Sequence, residues 1–149
     1  MDLSATTTID RTPEEIFEFI SNVRNDTQWR TGVVESGLRS DPPIGSGAVG
    51  FARAGKIETV YRITTFEPPR RVDWEFIGGP IHGRGGYRLE SAGSGTRFTL
   101  VADVAPSGVM RLLGPLFGRI GRRQNQRDVE TLREILKGSS DPSNGQPDA

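Results

Sequence analysis

His82 is the one histidine of a 149-residue chain that has no cysteine. It is therefore the only side chain whose ordinary pKa lies near neutrality, and the first to consider for proton transfer. A strand over residues 81–91 would set it on the face of Arg84 and Arg88, opposite Tyr87. That turns it outward unless Gly85-Gly86 bulges the strand. No orienting partner can be identified, so a surface or strand-edge histidine is the preferred reading. A serine triad would need the same histidine and is disfavoured further. One histidine without cysteine also removes disulfides, thiol catalysis and cysteine-type zinc sites.

A second chemical signal is Gly45-Ser46-Gly47-Ala48-Val49-Gly50, which spells the G-x-G-x-x-G of dinucleotide folds. That motif works only where a helix follows, because the helix N–H groups meet the pyrophosphate. Here the next residues, Gly50-Phe51-Ala52-Arg53-Ala54-Gly55, are too short and glycine-broken for a helix. A turn between strands is the preferred reading. No metal, nicotinamide or other cofactor is expected.

The elements around these residues are legible from period and punctuation. Residues 3–9 alternate and are rich in β-branched side chains, which favours a strand. Thr12-Pro13-Glu14-Glu15 follows as a capping box with Pro at the first helical position. A first helix bearing Ile16, Phe17, Phe19 and Ile20 is predicted, then a break and a short second helix containing Trp29. Between residues 33 and 105, turn chemistry at 41–45, 67–69, 78–80 and 92–95 separates about six more strands. They lie near 33–40, 47–54, 56–66, 71–78, 81–91 and 96–105 and read as an antiparallel meander. Alternation puts Val72, Trp74, Phe76, Tyr87, Leu89, Phe98, Leu100 and Ala102 on one concave face.

The helical period returns with Met110, Leu112, Leu113, Leu116, Phe117 and Ile120, and again with Val129, Leu132, Ile135 and Leu136. Gly114-Pro115 should kink or restart the helix, so its continuous part is placed at 115–137. Residues 121–128 contain no large apolar side chain, which is unlike a helix packed on a dry core. The expected architecture is α+β, a curved antiparallel sheet of about seven strands gripping a long C-terminal helix, with two short helices after the first strand. One domain over residues 1–137 is expected, with a disordered tail at 138–149.

Room for a ligand lies between sheet and helix. Trp74, Tyr87 and Phe98 suit a pocket wall as well as a core, and Tyr61, in alternation with Ile57 and Ile63, can add a hydroxyl. Gly83 and Gly85 on the inner face signal either cavity space or a close backbone approach or bulge. Gln124 and Asp128 continue the stripe of Phe117 and Ile120, and Asn125 precedes Val129 and Leu132; one or more should face the cavity, unless the stretch is a solvated one. Trp29 and Phe51 would stand at the mouth near the helix.

The chain resembles the START-like, or SRPBCC, helix-grip superfamily, and within it the bacterial polyketide cyclase/dehydrase-like branch. The resemblance covers residues 3–137 and is carried by Thr12-Pro13-Glu14-Glu15-Ile16-Phe17, Asn25-Asp26-Thr27-Gln28-Trp29, Gly45-Ser46-Gly47, Phe66-Glu67-Pro68-Pro69-Arg70-Arg71, Gly95-Thr96-Arg97 and Arg127-Asp128-Val129-Glu130-Thr131-Leu132. It implies the helix-grip fold and a hydrophobic cavity, and transfers no catalytic set.

The function expected is binding of a small hydrophobic molecule, a lipid, polyketide-like or aromatic metabolite, with Trp29, Phe51, Tyr61, Trp74, Gly83, Gly85, Tyr87, Phe98, Phe117, Gln124 and Asp128 as ligand-binding residues. One alternative is a cyclase or dehydratase in which Tyr61, His82 or Asp128 handles protons. Another is a toxin-like or regulatory interaction protein using the helix that carries Arg111, Arg119, Arg122, Arg123 and Arg127. Those arginines read as a solvated face in preference to a membrane-surface helix. Lys plus Arg and Asp plus Glu are equal at 19 each, so no overall footprint for nucleic acid is present. No apolar run reaches a membrane span and no signal-peptide pattern is seen, so a cytoplasmic protein, a monomer or weak homodimer, is expected.

Overall fold

The computed structural model describes residues 1–138. Of the tail expected at 138–149, Gly138 instead ends the last helix, and residues 139–149 lie outside the described residues. Strand β1 (Ala5–Ile9) alternates buried and exposed positions throughout. Helix α1 (Pro13–Ser21) begins at a complete capping box: the Glu15 N–H donates to Thr12 Oγ1 at 3.1 Å and the Thr12 N–H to Glu15 Oε1 at 3.0 Å. A 3-10 turn (Val23–Asn25) leads into the single-turn helix α2 (Asp26–Trp29). Strands β2 (Glu35–Leu38), β3 (Val49–Ala54), β4 (Ile57–Glu67), β5 (Arg71–Gly78), β6 (Ile81–Ala92) and β7 (Gly95–Pro106) follow. A 3-10 turn (Gly108–Leu113) then gives way to helix α3 (Gly114–Gly138).

The seven strands form one antiparallel sheet in the order β1-β7-β6-β5-β4-β3-β2, so the meander β2 to β7 is extended by β1 against β7. Ile63 pairs with Trp74, Trp74 with Gly85, Tyr87 with Leu100 and Leu89 with Phe98. This register brings the apolar alternation of each strand to the same concave face. Irregularities between Val60 and Tyr61 and between Ile63 and Thr65 interrupt the β4–β5 ladder, and such bulges bend a sheet.

Helix α3 crosses the concave face without a break, including the stretch that lacks large apolar residues. Gly121 explains part of that: a Cβ there would stand 2.6 Å from Leu3 Cδ1, so the glycine admits Leu3, two residues before β1. Beyond it Val129, Leu132 and Leu136 sink into a core shared with Ile9, Ile16, Ile20, Leu89, Phe98 and Leu100. Burying each such side chain stabilises by roughly 1.5–3 kcal/mol. The dry core therefore lies under the C-terminal half of α3 and beside α1. The other half spans open space.

Candidate functional site

The open space is a cavity of about 460 Å³ between the N-terminal half of α3 and the inner faces of β3 to β7. Ile57, Leu113, Leu116 and Ile120 line it and remain about half exposed, marking an apolar rim. Tyr61 lies four residues along β4 from Ile57, about 13 Å at the strand rise. Gln124 lies eight residues along α3 from Leu116, about 12 Å at the helix rise. Both walls thus run from an apolar rim to a polar region over a similar length.

An aromatic row of Tyr61, Trp74 and Tyr87 forms the wall on the sheet side and runs on into the core at Phe98. Tyr61 and Trp74 have ring centroids 6.0 Å apart, Trp74 and Tyr87 4.8 Å, and Tyr87 and Phe98 5.5 Å. Strand glycines seat these rings. A Cβ at Gly85 would lie 2.7 Å from Trp74 Nε1, and one at Gly50 would lie 2.5 Å from the Tyr61 hydroxyl. The glycine-rich 45–50 segment is accordingly a turn, with Gly47 at φ +91°, that runs into the start of β3 and not into a helix. Its last glycine makes room for Tyr61.

The polar region gathers Asp26 from the start of α2, Arg30 just after it, Tyr61, Tyr87 and Asn125. Two buried carboxylates behave differently here. Asp128 is fully partnered: Arg30 Nε donates to Oδ2 at 3.1 Å, the Thr31 N–H lies 3.1 Å from both oxygens, and the Thr31 hydroxyl donates to Oδ1. Arg30 Nη2 also donates to Asn125 Oδ1 at 3.4 Å, while Asn125 Nδ2 donates to the Leu3 carbonyl at 2.9 Å. These bonds tie α2, α3 and the approach to β1 together. Asp26 is only 8% exposed, and its Oδ1 has no hydrogen-bond partner among the described residues.

Burial pushes the Asp26 carboxyl up to about 6, with Arg30 pulling the other way. Burial, and after it the Asp26 charge, raises the Tyr61 and Tyr87 hydroxyls, so both stay protonated. Burial also opposes the Arg30 charge, but Tyr87, Asp128 and Asp26 outweigh it and the guanidinium stays ionised. A carboxyl that titrates near neutrality in a cleft is a functional-site signature.

Of the residues expected at the site, Tyr61, Trp74, Gly85, Tyr87, Phe117 and Gln124 line the cavity. The others stand elsewhere. Trp29 and Phe98 are core residues, packed edge-on at 6.1 Å. Phe51 turns from the cavity and lies under the Arg39 guanidinium, 4.2 Å from it. Gly83 has φ +122° and a Cβ there would meet the Asp103 carbonyl at 2.3 Å, so the backbone-approach alternative holds for it. At Gly85 the space is filled by the Trp74 indole, and a side chain there would displace the ring. Asp128 anchors the frame instead of facing the cavity. His82 is exposed and bonds Ser107 Oγ at 2.8 Å, outside the cavity. Asp26 and Arg30 were missed as site residues; their i,i+4 spacing across a short helix was the available signal.

An α+β sheet gripping a helix, with an apolar cavity between them, defines a helix-grip protein. The chain belongs to the family described as Polyketide cyclase / dehydrase and lipid transport, which matches residues 1–138. No curated protein matches the sequence. Among solved structures, TTHA0849 from Thermus thermophilus is similar with a TM-score of 0.79 at 15% identity, over 95% of this chain and 100% of that one. The Zhui aromatase/cyclase from Streptomyces sp. R1128 gives 0.76 at 14% identity, over 96% and 97%. The Aha1 dimer from Colwellia psychrerythraea gives 0.71 at 13% identity, over 95% and 99%. At such identities the likeness is one of fold.

Proposed function

We propose that the protein binds a small hydrophobic molecule, lipid, polyketide-like or aromatic, in the cavity between the sheet and the N-terminal half of α3. The observation that carries this reading is a volume of about 460 Å³ with a largely apolar lining and a few convergent polar groups, the usual make-up of a small-molecule site. The test is to fill it. Ala52, half-buried on β3, lines the cavity, so Ala52→Phe should keep near-native circular dichroism and lose binding of a neutral apolar fluorophore. A folded variant with unchanged binding would overturn the site.

A cyclase- or dehydratase-type activity is the second reading, favoured by Asp26. A carboxyl near 6 beside two protonated tyrosines can take and return a proton at neutral pH, while the cavity orients the chain. Turnover of a polyketide-like chain that Asp26→Asn abolishes without loss of binding would establish it.

A further inference from the structure

We propose that the polar region of the cavity selects apolar ligands whose head group donates a hydrogen bond, an alcohol or an amine, and discriminates against carboxylate heads. The inference rests on the binding function above and gives it a substrate class. It starts from an imbalance of partners. Asp128 takes hydrogen bonds on both oxygens, whereas Asp26, nine-tenths buried and among the residues that line the cavity, has none on Oδ1. A buried acceptor left without a donor is costly, and a ligand that supplies the donor recovers that cost.

Charge points the same way. Asp26 and Arg30 are the charged side chains among the described residues that line the cavity, and Arg30 is already bonded to Asp128 and Asn125. With Asp26 ionised, two carboxylates face one guanidinium, leaving one uncompensated negative charge. An alkyl carboxylate would bring a second into the same low-dielectric space, where like charges repel strongly. A protonated amine would balance the charge, and an alcohol would donate to the Asp26 carboxylate without adding one. The span of about 12–13 Å from the apolar rim to Tyr61 and Gln124 suits a chain of about ten carbons.

The experiment uses 1-decanol, decylamine and decanoate to displace a neutral fluorophore, N-phenyl-1-naphthylamine, from the protein at about pH 8. Decanol and decylamine should each compete at least about tenfold better than decanoate. Asp26→Asn keeps the size and an acceptor but removes the charge. It should close most of that gap, with decanoate binding more tightly and decylamine less tightly. The wild-type comparison stands without the variant: decanoate competing as well as decanol overturns the proposal whether or not Asp26→Asn folds. A folded Asp26→Asn that keeps the full preference also overturns it, by moving the selectivity away from Asp26. If the fluorophore does not bind the wild-type protein at all, the binding reading itself fails; if all three compete alike, only the head-group selection fails.

Discussion

The two halves of α3 carry similar apolar spacing and meet opposite surroundings. In the C-terminal half Val129, Leu132 and Leu136 are pressed against Ile9, Ile16 and Phe98. In the N-terminal half Leu116 and Ile120 remain 48% and 54% exposed at the rim of the cavity. The same amphipathic pattern therefore holds the fold together at one end and leaves the rim of an open cavity at the other. Between them the polar stretch with Gln124, Asn125 and Asp128 marks the change. Asn125 and Asp128 bond to the sheet approach and to α2, so the helix is held over empty space without an apolar core beneath it.

Substitutions in the two halves should separate these roles. Leu132→Asp places a charge in the dry core, where Leu132 is 0% exposed, and should unfold the domain; Leu132→Ala should cost about 2–5 kcal/mol in a denaturant titration. Losses below about 0.5 kcal/mol would break the assignment of that half to the core. Asp128→Ala is expected next, at about 3–5 kcal/mol, since Arg30 Nε, the Thr31 N–H and the Thr31 hydroxyl all lose their acceptor. A smaller loss would mean that α2 is held to α3 chiefly by packing.

Asp26 should give the opposite sign. Its carboxyl rises from 3.8 to about 6 in the folded chain, so the folded state holds the proton more tightly than the unfolded state. Below about pH 4 both states are protonated and the residue is neutral in its effect. Between about pH 4 and 6 stability falls as pH rises, and above 6 the full penalty, of order 3 kcal/mol, is present. Asp26→Asn should therefore raise the melting temperature at about pH 8 and leave it nearly unchanged at about pH 4. Equal effects at both pH values would contradict the raised carboxyl. Other carboxylates, such as Asp73 with its arginine partners, affect both proteins alike and cancel in the comparison.

Gly85→Ala sharpens the sheet side of the contrast. Its methyl group would meet the Trp74 ring, and a loss of about 1–3 kcal/mol is expected. A neutral Gly85→Ala would show that the indole can move aside and that the position has spare volume after all. The smallest effect belongs to the rim: Leu116→Ala should change stability by less than about 1 kcal/mol, because the side chain is already half in water. It should nonetheless weaken uptake of an apolar probe. Stability loss rivalling that of Leu132→Ala would erase the distinction between the halves.

Most of the fold is local in origin and could be recognised one segment at a time. The Thr12–Glu15 capping box, the period-2 alternation of β4 to β7 and the Gly/Pro turns each act over a few residues, so pattern suffices to place them. The inner faces bearing Trp74, Tyr87 and Leu100 followed from alternation alone. Gly83 and Gly85 did not resolve, because a missing side chain means the same in sequence whether backbone, ring or vacancy takes its place.

The site depended on contacts between residues far apart in the chain. Asp128 looked like a continuation of the cavity stripe, yet Arg30 and Thr31, nearly a hundred residues earlier, take up both its oxygens. Asp26 looked like a polar break between helices, yet folding buries it beside Tyr61 and Tyr87 and leaves one oxygen without a partner. Strand periods and helix caps are set by neighbours along the chain and survive in the order of residues. Burial and charge balance are set by neighbours through space, and desolvation acts only once the sheet, α2 and α3 have closed around the group.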